Sequence, residues 1–108
     1  MAEKDRILII DDDKDMLETL GDILQEKGYM TETAKTGKEA IAKAEKRFFN
    51  VALIDIKLPD MTGVELINQV EMNIPGGMPW FAVVTGMGDE SIAVNMMKRG
   101  ARDYLIKD

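Results

Sequence analysis

Residues 51–63 read VALIDIKLPDMTG: a short, mostly apolar run ends on Asp55, and a Pro-Asp-Met-Thr-Gly turn follows closely. A carboxylate at the end of a buried strand costs free energy unless it has a partner or a task. Asp11, Asp12 and Asp13 follow another apolar run at 7–10, Thr85 closes a third at 80–84, and Lys107 closes a fourth at 104–106. Carboxylates gathered at neighbouring strand ends repel one another, and without a cation at least one tends to stay protonated. A divalent, oxygen-preferring ion relieves that repulsion, and magnesium needs only one or two carboxylates plus water and substrate oxygens. A lysine ammonium and a hydroxyl donor complete what a transferring phosphoryl group requires, because its chemistry is mostly positioning and neutralisation of charge on the equatorial oxygens. In that chemistry Asp55 supplies the attacking oxygen and becomes an acyl phosphate.

The elements that must position these groups alternate along the chain. Residues 7–10 form a continuous β-branched run, read as a buried strand. Met16, Leu17, Leu20, Ile23 and Leu24 then recur at helical spacing, with Gly28 as the stop. Residues 29–34 alternate weakly and read as a second strand at a sheet edge. Thr36 with Glu39, and Thr62 with Glu65, have the capping-box spacing that opens a helix. The first box starts a helix with Ile41, Ala44 and Phe48 on its buried stripe, and the second a helix with Leu66, Ile67, Val70 and Ile74 inward. Residues 51–54 and 80–84 read as buried strands. A further helix is expected over 89–99, acidic at its start and basic at its end, before the short strand at 104–106. Strands alternating with helices imply a doubly wound α/β domain around a parallel sheet. For the strand order 2-1-3-4-5, ligands bind outside the carboxyl ends of strands one and three, which carry the carboxylates.

Bulk properties narrow the alternatives. The chain has 108 residues, one domain's worth, is 45% hydrophobic and 31% charged, and carries a formal net charge of −6. An acidic surface repels phosphate backbones, so direct nucleic-acid binding is not expected. Cysteine and histidine are both absent, which removes disulfides, thiolate metal sites and His–carboxylate catalysis. The N-terminus lacks the pattern of a signal peptide, and no stretch reaches the length of a membrane span. The expected location is cytoplasmic, with no membrane association.

Taken in order, ILIIDDD, LIDIKLPDMTG, VVTG and DYLIK resemble the receiver domains of two-component response regulators. The resemblance runs from Arg6 to Lys107, with Thr85 30 residues after Asp55 and Lys107 22 residues after Thr85. Each piece alone is weak; together, at strand ends and at those spacings, they are specific. The resemblance implies a flavodoxin-like, CheY-like fold with a five-stranded sheet, and a single receiver domain over 1–108. It implies Mg2+ held by Asp11, Asp12, Asp55 and the backbone carbonyl of Lys57. It makes Asp55 the phosphoacceptor, Thr85 and Lys107 the groups that bind the phosphoryl oxygens, and Thr85 with Tyr104 the switch pair. The implied partner is a sensor histidine kinase or phosphotransfer protein. The domain is then a signalling acceptor that promotes its own phosphotransfer and dephosphorylation, not an enzyme with a separate substrate. A two-state shift toward the arrangement that binds the phosphoryl group better would carry the signal.

Blander readings stand beside these. Asp13 fits an N-cap better than a ligand, and Asp60 a turn residue. A haloacid-dehalogenase-type phosphatase would need an acid where Lys57 stands, and a dinucleotide or P-loop binder a glycine-rich turn where the three aspartates stand. The strongest competitor is a degenerate receiver acting as a phosphorylation-independent interaction module; such modules usually lose one of five site residues, and here all five are kept. Two departures from the family pattern carry expectations. Asp108 replaces the usual proline after Lys107, so a trans bond is expected there. The chain also ends before the family's fifth helix: either the sequence is cut short of it, or, if the 108 residues are the whole, a second copy or another domain is expected to cover the sheet face packed by the first helix. Lys57 and Met87, at the positions that tune phosphoryl lifetime, imply slow to moderate hydrolysis.

Overall fold

The computed structural model describes residues 5–55, 58–74, 80–85 and 103–106. Its elements run β1 (Arg6–Ile10), α1 (Lys14–Glu26), β2 (Met30–Ala34), α2 (Gly37–Lys46), β3 (Val51–Asp55), α3 (Gly63–Asn73), β4 (Trp80–Thr85) and β5 (Asp103–Ile106). The strands pair in parallel in the order β2-β1-β3-β4-β5. Register places Ile10 beside Ile54, Asp55 beside Val84, and Thr85 beside Ile106. The helix expected over 89–99, and the expected trans bond between Lys107 and Asp108, lie outside the described residues.

The alternation of β1 divides the core. Leu8 and Ile10 join Ala34, Ala40, Phe49, Ala52, Ile54, Leu58, Leu66, Ile67 and Val70 on one side, while Ile7 and Ile9 pack with Leu17 on the other. Ile9, Ile54, Leu66 and Ile67 are fully enclosed, each contributing about 1.5–3 kcal/mol by leaving water. Both faces of β1 are therefore apolar, as a central parallel strand requires. β2 pairs only with β1 among the described strands, and charge covers its outer edge. The Lys43 ammonium donates to the Thr33 carbonyl, and Arg47 pairs with Glu32 at 3.1 Å.

Helix starts follow the capping expectations closely. The Thr36 hydroxyl accepts from Glu39 N–H (3.1 Å) and the Thr62 hydroxyl from Glu65 N–H (3.1 Å). In the first, the Glu39 carboxylate reaches Lys35 N–H instead of its cap residue's, so the box closes one position early. After α1 the chain turns at Gly28, whose φ of +96° suits a residue without Cβ.

Two apolar side chains depart from the expected stripes. Phe48 is 72% exposed, because α2 stops at Lys46 and the next segment turns Phe49 inward in its place. Ile23 is 44% exposed, lying to the side of the α1 stripe that Leu17, Leu20 and Leu24 centre on the sheet. Among the described residues no helix is long and apolar enough to cross a membrane.

Candidate metal and phosphoryl site

Two adjacent parallel strands bring the principal carboxylates together. Asp55 is the last residue of β3, and Asp11 is the first beyond β1. Since Ile10 is the register partner of Ile54, Asp11 and Asp55 emerge side by side at the carboxyl edge. The ladder holds Asp11 there through its own N–H, which donates to the Ala34 carbonyl (3.0 Å). Asp11 is 2% exposed and Asp55 7%, whereas Asp12 faces solvent. One oxygen from each of the three carboxylates lies within 4.8 Å of the others.

That grouping is electrostatically costly by itself. Two ionised carboxylates at this separation repel by about 3–4 kcal/mol at an effective dielectric near 20. The N–H of Asp13 donates to the Asp11 Oδ1 at 3.0 Å, which offsets part of this. Asp13 itself turns away to cap α1, accepting from Asp15 N–H (3.0 Å) and Met16 N–H (3.4 Å). It is the N-cap that the sequence indicates, outside the acidic cluster.

The donor set suits a hard cation. It is all oxygen, and with neither histidine nor cysteine in the chain no imidazole or thiolate can join it. Oxygens held about 2.1 Å from a magnesium ion lie within roughly 4.2 Å of each other in an octahedron. The observed grouping, within 4.8 Å, reaches that by small side-chain adjustment. Asp12 opens the cluster to solvent, where waters and a phosphoryl oxygen would complete the shell.

The remaining sequence candidates are placed by backbone or fall outside the described residues. Thr85 ends β4, one step beyond the Asp55–Val84 pair, so it shares the carboxyl edge with the acids. Tyr104 lies in β5 opposite Val83. Lys57 and Lys107 lie outside the described residues, although Lys107 directly follows Ile106, the register partner of Thr85.

One polar arrangement has no local signal in the sequence. Asp60, in the loop after β3, does more than shape a turn. Its Oδ1 accepts from Gly37 N–H (2.8 Å) and its Oδ2 from Lys38 N–H (3.0 Å), the first amides of α2. The Gly37 hydrogen bond, with lesser help from the Lys38 amide and charge, lowers the Asp60 pKa below its ordinary value, against an opposing desolvation. The partners are more than twenty residues apart, beyond the reach of any capping pattern read along the chain.

Comparison with known proteins gives the chain's fold and sequence a family. The family model described as response regulator receiver domain matches residues 7–108. The acid tolerance regulatory protein ActR of Rhizobium meliloti is 37% identical over 101 residues, 94% of this chain and 51% of the relative. The chemotaxis protein CheY of Thermotoga maritima is 30% identical, covering 94% of this chain and 84% of the relative. The crystal structure of a CheY-like response regulator receiver domain protein from Methanospirillum hungatei JF-1 superposes with a TM-score of 0.86 at 42% identity, over 97% of this chain and 82% of that one. The chain thus spans about half the length of the first of these relatives and most of the other two.

Proposed function

The chain belongs to the response regulator receiver domain family of two-component systems, and from that premise we propose that Asp55 is its phosphoacceptor. The observation that carries the proposal is the grouping of buried Asp11 and Asp55 with exposed Asp12 at the carboxyl ends of β1 and β3. Such an edge, at the point where strand order reverses, is where open parallel sheets bind ligands.

In the proposed reaction an Asp55 carboxylate oxygen attacks the phosphorus of a phosphohistidine on a partner kinase or phosphotransfer protein. The new O–P bond forms as the P–N bond breaks, and the imidazole leaves with the bonding pair and takes up a proton. The product is a mixed anhydride on Asp55. Asp11, Asp12, Asp55 and the Lys57 carbonyl would hold Mg2+, which when bound supplies charge neutralisation at the phosphoryl oxygens. Burial of Asp55 at the strand end limits its motion and keeps one oxygen directed at the edge. The resemblance gives the Thr85 hydroxyl and the Lys107 ammonium the remaining phosphoryl oxygens. Their engagement, with Tyr104 as the responding aromatic, favours one of two arrangements of the β4–β5 side. The domain is thereby a signalling acceptor and not an enzyme turning over a separate substrate.

The test is incubation with Mg2+ and a small acyl phosphate donor, followed by intact mass. The expected result is a gain of about 80 Da, the mass of one phosphoryl group, that is absent in Asp55→Asn. No gain in the wild-type chain would replace this reading with that of a phosphorylation-independent interaction module.

A further inference from the structure

We infer that Asp60 is a positioning residue for the phosphoryl site, acting by fastening the loop after Asp55 to the first turn of α2. The inference rests on the phosphoacceptor reading of Asp55 and adds to it a residue that touches neither metal nor phosphoryl group. It also gives α2, which carries no site residue, a part in the chemistry: the strand before it ends on enclosed Ala34 and offers the edge no polar group.

The loop 58–62 is held at four points. Leu58 is buried in the main core, and its N–H donates to the Met61 carbonyl (3.2 Å), closing the loop on itself. Met61 packs over Gly37 so closely that a Cβ on that glycine would overlap its side chain. Thr62 caps α3. The Asp60 carboxylate then takes two successive amides of α2, one on each oxygen (2.8 and 3.0 Å). These amides have no intrahelical acceptor, and the positive end of the helix favours the negative charge placed against them.

The contact is more than a cap because its two sides belong to different elements. An ordinary N-cap residue is next to its helix in sequence and constrains only that helix. Asp60 is separated from α2 by all of β3 and lies in the same loop that leaves Asp55. Leu58 and Asp60 follow Asp55 by only three and five residues, at about 3.8 Å per step, so fixing them sets the place that the chain leaving Asp55 must reach. Carboxylates that must converge on a small cation tolerate little displacement, and the supporting contacts around ligands carry corresponding weight.

The experiment compares wild type, Asp60→Ala, Asp60→Asn and Gly37→Ala as folded chains, checked by circular dichroism. Mg2+ binding is measured calorimetrically, amide exchange is followed at Gly37 and Lys38, and phosphorylation by a small acyl phosphate is recorded against Mg2+ concentration. The expected result for Asp60→Ala is faster exchange at both amides and about tenfold weaker Mg2+ binding. Its phosphorylation rate should return toward wild type at saturating Mg2+. Asp60→Asn, which keeps one oxygen acceptor, should restore most of the affinity. Gly37→Ala, which displaces Met61 with Asp60 intact, should weaken binding in the same direction. Unchanged Mg2+ affinity in all three variants, with only a lowered melting temperature, would overturn the inference and leave Asp60 a structural cap. Unchanged exchange at Gly37 and Lys38 in Asp60→Ala would also overturn it. A wild-type chain that neither binds Mg2+ nor gains a phosphoryl group would overturn the phosphoacceptor reading together with this one, so the two failures are distinguishable.

Discussion

Asp11 and Asp13 share the loop after β1, and Asp60 lies in the loop that follows Asp55 at the end of β3, yet at each of these two places the carboxylates are used in opposite ways. Asp13 and Asp60 each accept two backbone amides at a helix start. Asp11 and Asp55 are buried within 4.8 Å of each other and of Asp12. The first pair gives up its charge to helix ends and steadies the scaffold. The second pair is gathered with Asp12 at a strand edge, where three carboxylate oxygens so close together favour a cation. The residue type is the same; what differs is position, at a strand end for Asp11 and Asp55 and against a helix start for Asp13 and Asp60.

Substitutions should separate the pairs most clearly at Asp55. Asp55→Asn is expected to abolish phosphoryl uptake while raising the melting temperature of the metal-free chain, because it removes one of two repelling buried charges. The gain should be about 1–3 kcal/mol by urea unfolding in a chelator. A destabilised Asp55→Asn would mean that the cluster is not under charge repulsion. Asp12→Asn should weaken Mg2+ binding at least about tenfold by calorimetry and leave metal-free stability nearly unchanged, since Asp12 faces solvent.

Metal removal gives an effect of intermediate size. With Mg2+ at ten times its dissociation constant, binding to the folded state alone stabilises by about 1.4 kcal/mol, which a chelator should reverse. The same titration on Asp55→Asn should show a smaller gain, because one ligand has lost its charge. Asp13→Ala should behave in the opposite way: a loss of about 1 kcal/mol from the missing cap, the same with and without Mg2+. If Asp13→Ala instead abolished the Mg2+-dependent part, the division between capping and metal-facing acids would be wrong.

The smallest effect expected is the acid response of Asp60. Its folded pKa lies below its ordinary value, so its contribution to stability is present above the unfolded pKa and is lost as pH falls through the folded one. Thermal unfolding of wild type and Asp60→Asn should therefore differ at neutral pH and converge below about pH 4. Parallel curves throughout the acid range would show that the Asp60 charge does not bear on stability.

How far the chain could be read in advance follows from the range of each interaction. The buried strands β1 and β3 stand out as continuous apolar runs, and the acids at their ends could be assigned to one edge because parallel topology fixes where that edge lies. Thr36 and Thr62 were legible because a cap and its amide are three residues apart. Phe48 and Phe49 were not: helical periodicity extended past Lys46 selects Phe48, and only the observed end of α2 puts Phe49 inside. Ile23 belongs to an apolar stripe in sequence but to its margin in space, since the sheet is covered by the narrower line of Leu17, Leu20 and Leu24. Asp60 lay furthest from reach, since its partners become neighbours only after β3 has been laid beside β1.

The central claim is that, among these similarly placed aspartates, Asp55 alone takes the phosphoryl group. Borohydride reduction of the acyl phosphate formed in Mg2+ and a small phosphodonor, followed by peptide mass mapping, locates the modified carboxyl directly. The expected result is reduction to homoserine at position 55 alone, and none when Mg2+ is chelated. Modification at Asp11, Asp12, Asp13 or Asp60, or equal modification at Asp55 without Mg2+, would contradict it.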